Sequence, residues 1–546
     1  MNSVLDNFHR QIRTNPDGAF LVQRVGDCIE SITWRRAAEL VGTCAATLAE
    51  KGVRKGDRVA IISENSPEWV IADLAIMTVG AVSVLVASGS LSREDVLTRI
   101  SDAAPSLVFV SSRRRKALFG DDDRPYSFQM LSMDGMSAED LSVTAYEPEP
   151  VSISDDDICT VIYTSGTTDN PHGVALSYRN YASITGNHSA LGIFPDRYTT
   201  LCILPLDHCL MHFYLFHVIE NGGTMAITRQ KDNRIETLIA VEEDLRVFKP
   251  DVLVMVPALL YGMTRILKLK KADSSPSAAL SFFGGRLKFI ITGGAKVEPR
   301  LIRELLDSGL RAYPGYGMTE TAGGICINTS PDTKADSIGR PIGDSDDIGI
   351  LSDCGVTDRP GVTGEIVYRG ASLMNGYWND LESTSAAIDG AGWYHTGDLG
   401  HFDEDGFLYF DGRVKSLLIA GSGEKYDPQE IEDAIHSASP LISQVMVFNQ
   451  ESPFTIALAV PAGDAGSITE EHITELSVTL KSQHRFSEIW IPKKYLLLDE
   501  VFSQSNGFLT SKGDLARHKI LLRWKKEIDT IYNTTTNDTG RIHRCD

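Results

Sequence analysis

The sequence predicts an α/β protein in two parts. A large N-terminal domain of mostly parallel sheets flanked by helices is followed by a small C-terminal α+β domain, joined to it by a hinge. Three observations carry that prediction. The chain has 546 residues, too many for one ordinary core. Over roughly the first 400 residues, short β-branched runs alternate with helix-length amphipathic segments. Past about residue 410 that alternation gives way to a mixed pattern.

In chain order, DRVAII (57–62), AVSVLV (81–86), LVFVS (107–111), ICTVIY (158–163), DVLVMV (251–256) and LKFIIT (287–292) read as buried strands. Continuous apolar, β-branched runs suit strands covered on both faces. Between the first two, SPEWVIADLAIMTVG carries a Ser cap, a first-turn Pro and a closing Gly, the marks of a helix. This strand–helix–strand grammar places a ligand at the carboxyl ends of the strands. Two of those ends carry unusual loops, TSGTT after Tyr163 and GGA after Thr292. The run RRRK at 113–116 reads as a solvated turn. Farther on, PQEIEDAIHS (428–437) reads as a helix, and QVMVFN (444–449) and TIALAV (455–460) as strands. Ile473, Leu476 and Leu480 mark another helix, and Ile520, Trp524, Ile528 and Tyr532 a last one. The join DGRVKS (411–416) is polar and contains Gly, which suits a hinge. The expected domains are 1–411 and 412–532, with 533–546 a disordered tail.

Composition narrows the function. The formal net charge is −21, which repels nucleic acid and anionic membranes. An anionic substrate must then be drawn in locally, by backbone N–H groups, a few Lys and Arg residues and a metal ion. No run of about 18 apolar residues exists, so no integral membrane segment is expected. The eight cysteines are scattered and form no C-x-x-C pair, which suits free thiols in the cytoplasm.

Three stretches carry chemistry. In TSGTT, Gly166 lets the backbone approach an anion, and Thr164, Ser165, Thr167 and Thr168 offer hydroxyls. Such Ser/Thr/Gly loops are more often plain turns. In YPGYGMTET (313–321), Glu320 suits either a helix cap or a magnesium ligand, and by itself favours the cap. In GWYHTGDLG (392–400), Asp398 follows a glycine. It suits either an Asx-turn or the acceptance of two hydrogen bonds from vicinal hydroxyls, as in ribose recognition.

Taken in order, YTSGTT (163–168), GGA (293–295), YGMTE (316–320), YHTGD (394–398) and GRVKS (412–416) resemble the signature series of the adenylate-forming, AMP-binding superfamily. The resemblance covers most of the chain, and FGGRLKFIITGGA and SGEKYDPQEIE look most like the long-chain acyl-CoA synthetase branch. It implies ATP-dependent activation of a carboxylic acid to an acyl-adenylate, with release of pyrophosphate. The acyl group then passes to a thiol, that of CoA or of phosphopantetheine on a carrier protein. The implied roles follow the motifs. Thr164, Ser165, Gly166, Thr167 and Thr168 would hold the β- and γ-phosphates of ATP. Gly293, Gly294 and Ala295 would line the adenine pocket, with Tyr316 stacked on the base and Gly317 beside it. Thr319 would contact the α-phosphate, and Glu320 would hold Mg2+. Asp398, helped by Arg413, would take the ribose. The segment LPLDHCLMHFYLFH (204–217) matches the wall of the acyl pocket, which assigns His208, Phe213, Gly294 and Gly317 to the acid substrate; it reads equally as a helix whose Leu210, Phe213, Tyr214 and His217 face the core, and it can do both.

Two departures stand against that pattern. Asp169 and His172 occupy positions where the family usually has glycine and lysine, so the phosphate loop is electrostatically poorer. In LTSKGDLARHK (509–519), aligning Thr510 and Arg517 on the family motif puts Asp514 where a catalytic lysine belongs. Lys512, two residues earlier, is the substitute cation. These departures keep two alternatives open. One is a ligase of specialised metabolism that passes its adenylate to an amine or other acceptor, or, remotely, activates a small inorganic acid such as nitrite. The other is a nucleotide-binding pseudo-enzyme. The acid, the acceptor and the oligomeric state are left open.

Overall fold

The computed structural model describes all residues except 1–2, 87–91, 121–127, 134–150, 164–171, 229–233, 272–274, 344–346, 415–417, 420–424, 450–451, 453, 464–467, 484–485, 510–512, 514, 534–540 and 545–546. The chain folds into two compact units. The first comprises Met1–Val362, Val367–Thr396 and His401–Tyr409; the second comprises Thr363–Ile366, Gly397–Gly400 and Phe410–Asp546.

All six strands predicted for the first unit are present, each within a residue or two of its expected ends. They belong to two sheets. Ile158–Tyr163, Val82–Leu85, Arg58–Ile62 and Leu107–Val110 are parallel neighbours in a seven-stranded sheet. Val252–Met255 and Phe289–Thr292 are parallel neighbours in a nine-stranded sheet, where Ala312–Met318 continues the parallel order. Apolar side chains on these strands are buried, and each fully buried Val, Leu or Ile contributes about 1.5–3 kcal/mol. The helix between the first two strands runs Pro67–Thr78, and Ser66 caps it by accepting from Trp69 N at 3.2 Å. Chain direction therefore brings Tyr163 and Thr292 to the carboxyl ends of their strands, where a ligand is expected.

The run 113–116 is not a turn. It lies in the helix Ser112–Leu118, capped by Ser111, because Arg114 is drawn in by Glu64 at 3.0 Å.

The second unit is built on a four-stranded sheet in the order Ile442–Phe448, Ile456–Pro461, Lys494–Leu497, Ile542–Arg544. Side-chain alternation gives the sheet two apolar faces. Val445, Val447, Ala457 and Ala459 pack with Ile431, Ile435, Ile473 and Leu476. Met446, Ile456 and Leu458 pack with Ile520, Trp524 and Ile528. The expected last helix is two helices, Arg517–Arg523 and Lys525–Asn533, which part at Trp524. The expected disordered tail also differs. Ile542–Arg544 pairs in parallel with Lys494–Leu497, and Arg541 N and Ile542 N each donate to Glu470 Oε1 at 2.9 Å. A free strand edge and an acidic acceptor hold that end of the chain.

Candidate active site

Two close backbone approaches shape the first part of the site. Strand Phe289–Thr292 ends at buried Gly293, where a Cβ would come within 3.1 Å of Gly315 O. Gly294 then takes φ +81°, and with Ala295 it is exposed. Strand Ala312–Met318 turns back through Thr319–Thr321 into strand Gly323–Ile327. At Gly317 a Cβ would lie 2.0 Å from Gly323 O, so only glycine lets this hairpin close. Thr321 holds the turn: its hydroxyl accepts from Met318 N at 3.1 Å and donates to Gly323 O at 2.8 Å. Thr319 is buried, while Tyr316 and Glu320 are half-buried.

Glu320 is not a helix cap. It is the middle residue of a three-residue 3-10 turn whose N-cap is Met318. Its carboxylate accepts instead from Tyr377 Oη at 3.3 Å. Burial, and next the charge of Glu320, raise the Tyr377 and Tyr394 phenols above their ordinary range. Both therefore remain protonated beside the carboxylate.

Thr164, Ser165, Gly166, Thr167, Thr168 and Asp169 lie outside the described residues. His172, just after them, is described. Its Nδ1 lies 3.2 Å from Asp380 Oδ2, and its ring centroid is 4.9 Å from that of Tyr377. The histidine that stands in place of lysine thus has a carboxylate partner of its own. Sequence reading missed Tyr377 and Asp380; their one signal is the aromatic, Gly- and Asn-flanked stretch NGYWND (375–380).

On the expected acid side, His208 caps helix Cys209–Asn221, its Nδ1 accepting from Leu210 N at 3.2 Å. Phe213 is 0% exposed. It packs 4.6 Å from His188, and a Cβ on Gly323 would sit 3.0 Å from its ring. Phe213 therefore backs the Glu320 hairpin from behind, as a core-facing residue of this helix. Burial lowers His188 to about 4 and His217 well below its ordinary value, so both rings are neutral. His188 Nε2 then donates to Gly324 O at 2.9 Å.

In the second unit, Asp398 lies in strand Tyr394–Phe402 and is 5% exposed. Arg413 Nε approaches its Oδ1 at 3.2 Å. Gly397, at φ +72°, donates its N–H to Glu365 Oε1 at 2.9 Å. The structure brings Asp398 and Arg413 together, as the motif order suggests. The Asp398→Ala variant is expected to bind ATP about 1.5–3 kcal/mol more weakly, the cost of a hydrogen bond to a charged group. Calorimetry that returns an unchanged affinity would reduce HTGD to a structural turn.

Residues 8–378 match the family model of the AMP-binding enzymes, and residues 415–536 match that of the AMP-binding enzyme C-terminal domain. This chain belongs to the AMP-binding enzyme family. It is 26% identical to a long-chain-fatty-acid–CoA ligase of Mycobacterium bovis, with 95% of each chain covered. It is 30% identical to a 2-succinylbenzoate–CoA ligase of Bacillus cereus, over 86% of this chain and 91% of the relative. Its fold matches the O-succinylbenzoate coenzyme A synthetase of Bacillus subtilis, solved in complex with ATP and magnesium ion. That match has a TM-score of 0.77 and 24% identity, over 94% of this chain and 98% of that one.

The residues of this AMP-binding enzyme suit ATP with Mg2+. Among the described residues no cluster of three or more His, Cys, Asp or Glu could hold a metal. Mg2+ bound through one protein carboxylate, with phosphate oxygens and waters completing its shell, needs no such cluster. Glu320 is a half-buried carboxylate that meets this requirement.

Lys512 and Asp514 of this AMP-binding enzyme lie outside the described residues, but their neighbour Arg517 is anchored. Its Nη2 meets Glu432 Oε2 at 2.6 Å, and Val447 N donates to Glu432 Oε1 at 2.6 Å. Burial pushes Glu432 up to about 7, against the pull of Arg517. The folded state then holds a proton that the unfolded chain, near 4.5, releases. Stability from this group is full below about 4.5 and is lost as pH rises through about 7. The melting-temperature gap between wild type and Glu432→Gln should accordingly narrow, or change sign, from pH 5 to pH 8. A gap that widens with pH would contradict the raised value.

Proposed function

We propose that this chain is an AMP-forming acid–thiol ligase acting on a fatty or aromatic carboxylic acid. The observation that carries this reading is the half-buried Glu320 carboxylate, set on the turn that ends strand Ala312–Met318, in a chain that matches the family over residues 8–378. The named relatives act on a long-chain fatty acid and on 2-succinylbenzoate, which supports both acid classes.

An oxygen of the substrate carboxylate attacks the α-phosphorus of ATP, the bond to the β-phosphate bridge breaks, and pyrophosphate leaves. A thiolate of CoA, or of carrier-protein phosphopantetheine, then attacks the acyl carbon and AMP departs. When bound, Mg2+ offsets the repulsion between the attacking carboxylate and the polyphosphate. Thr164, Ser165, Gly166, Thr167 and Thr168 hold the terminal phosphates, and Thr319 meets the α-phosphate. Gly293, Gly294, Ala295, Tyr316 and Gly317 receive the adenine, and Asp398 with Arg413 the ribose. His208, Gly294 and Gly317 shape the acid side, with buried Phe213 supporting it from behind.

Lys512 is the proposed cation for the adenylation step, since ionised Asp514 would add charge of the wrong sign. A preorganised donor at developing charge is worth about 2.7–4 kcal/mol, so Lys512→Ala should lose a few hundred-fold in exchange rate. Full activity in that variant, with a gain in Asp514→Lys, would show that the family's lysine has been given up.

The test of the whole reading is acid-dependent ATP–pyrophosphate exchange over a panel of fatty and aromatic acids. Thioester formation is then followed with CoA and with a phosphopantetheinyl carrier. Exchange with none of the acids would remove the ligase reading. The cytoplasm is the proposed location, supported by the scattered cysteines; among the described residues all of these are free, and no helix is long and apolar enough to cross a membrane.

A further inference from the structure

One five-residue segment ties together two motifs that lie far apart in the sequence. Met374 N donates to Glu320 O at 2.8 Å, which fixes the backbone of the turn that carries the carboxylate. Asn375 N donates to Ala175 O at 3.0 Å, and Trp378 N to Gly173 O at 2.6 Å. Between these bonds, Gly376 and Tyr377 pair antiparallel with Ala175 and Val174. Residues 374–378 therefore join the strand Gly173–Ser177, which leaves the expected phosphate loop, to the turn of Glu320.

The side chain of Tyr377 repeats that connection. Its hydroxyl reaches Glu320 Oε1 at 3.3 Å, and its ring lies 4.9 Å from that of His172. His172 is in turn held at 3.2 Å by Asp380, whose other oxygen accepts from Ser383 N at 2.9 Å. A close approach leaves no slack beneath the segment. A Cβ on Gly173 would meet Val161 Cγ1 at 2.8 Å and Trp378 Cβ at 3.2 Å. The Tyr377 hydroxyl meets the Glu320 carboxylate and, beside it, the Tyr394 hydroxyl.

We propose that Tyr377 is a positioning residue for the Glu320 carboxylate, and that His172, seated by Asp380, fixes the Tyr377 ring from the phosphate-loop side. This rests on the reading of Glu320 as the carboxylate for Mg·ATP. The physical reason is general: a ligating carboxylate is oriented by its own hydrogen-bond donors, and loss of such a donor costs about 10–100-fold in metal affinity. The 3.3 Å separation is longer than a strong O–H···O⁻ bond, which puts the effect near the low end of that range, about tenfold. His172 then has work that a flexible lysine would do less well, because a planar ring can pack against the phenol.

The experiment measures ATP affinity of the full chain by calorimetry, once with Mg2+ and once in EDTA, for wild type, Tyr377→Phe, His172→Gln and Glu320→Gln. Tyr377→Phe is expected to lose about tenfold in affinity for Mg·ATP and nothing for metal-free ATP. His172→Gln shows the same selectivity in smaller measure. Equal losses with and without Mg2+ in Tyr377→Phe would overturn the proposal, since a general loosening of the segment affects both. Unchanged Mg·ATP affinity in Tyr377→Phe, alongside a metal-selective loss in Glu320→Gln, would overturn it while leaving the reading of Glu320 intact. If Glu320→Gln itself shows no metal-selective loss, that reading of Glu320 fails first.

Discussion

The Glu320→Ala variant is expected to lose about 10²–10³-fold in acid-dependent exchange, the scale set by removing one preorganised group that stabilises transition-state charge. Its fold should persist. The backbone of the turn does not depend on the side chain: Met374 N holds Glu320 O at 2.8 Å, and the Thr321 hydroxyl closes the turn from both sides. The carboxylate is half-buried and accepts from Tyr377, so truncation leaves one phenol without that acceptor and opens no core cavity. The competing role makes the opposite forecast. A purely structural role, accepting the hydrogen bond from Tyr377, would cost about 0.5–1.5 kcal/mol of stability when lost and leave turnover untouched. A melting curve and an exchange assay on the same preparation separate the two. Wild-type exchange with a lowered melting temperature would return Glu320 to a structural role.

The fold was legible because its central strands are buried on both faces. Strands such as Val252–Met255 and Phe289–Thr292 carry no polar alternation to confuse them with amphipathic helices, and their spacing leaves room for crossover helices. Ile542–Arg544 was not legible. Three residues in a polar tail carry no periodic signal, and the strand exists because Lys494–Leu497 offers it an edge. The site was legible where local chemistry is unusual, as at Glu320 and at Asp398, whose partner Arg413 stands 15 residues on. It was illegible where a residue acts across sequence distance. Tyr377 meets Glu320 over 57 residues, and nothing local to either announces the other. Phe213 shows the remaining limit. Its apolar character and its helix were readable, but which way it packs was decided by Gly323, on a different element.

Asp73→Ala is expected to cost about 1–3 kcal/mol of stability for each donor it leaves buried without an acceptor. Asp73 is the one carboxylate inside the otherwise buried stretch Trp69–Met77 of its helix, and it is 0% exposed. Buried carboxylates persist only with partners. Here the Ser83 hydroxyl donates to Oδ1 at 2.5 Å, and His212 Nε2 lies 3.0 Å from Oδ2. The ring's other nitrogen lies 2.8 Å from Tyr181 Oη. With His212 Nε2–H donating to Asp73 and Tyr181 donating to Nδ1, every proton in the chain runs toward one carboxylate. Truncating Asp73 leaves the Ser83 hydroxyl and the His212 ring N–H buried without that acceptor. The network also bears on the site. His212 shares helix Cys209–Asn221 with Phe213, which packs against Gly323 immediately behind the Glu320 turn. On the proposed placement of the acid beside this helix, loosening it should raise the KM for the acid more than the KM for ATP. Thermal melting reads the first effect, with a fall of several degrees expected for Asp73→Ala. Initial rates against each substrate read the second. A melting temperature unchanged in Asp73→Ala would mean that water reaches this cluster and supplies the missing acceptor, and the packing argument for the acid wall would fall with it.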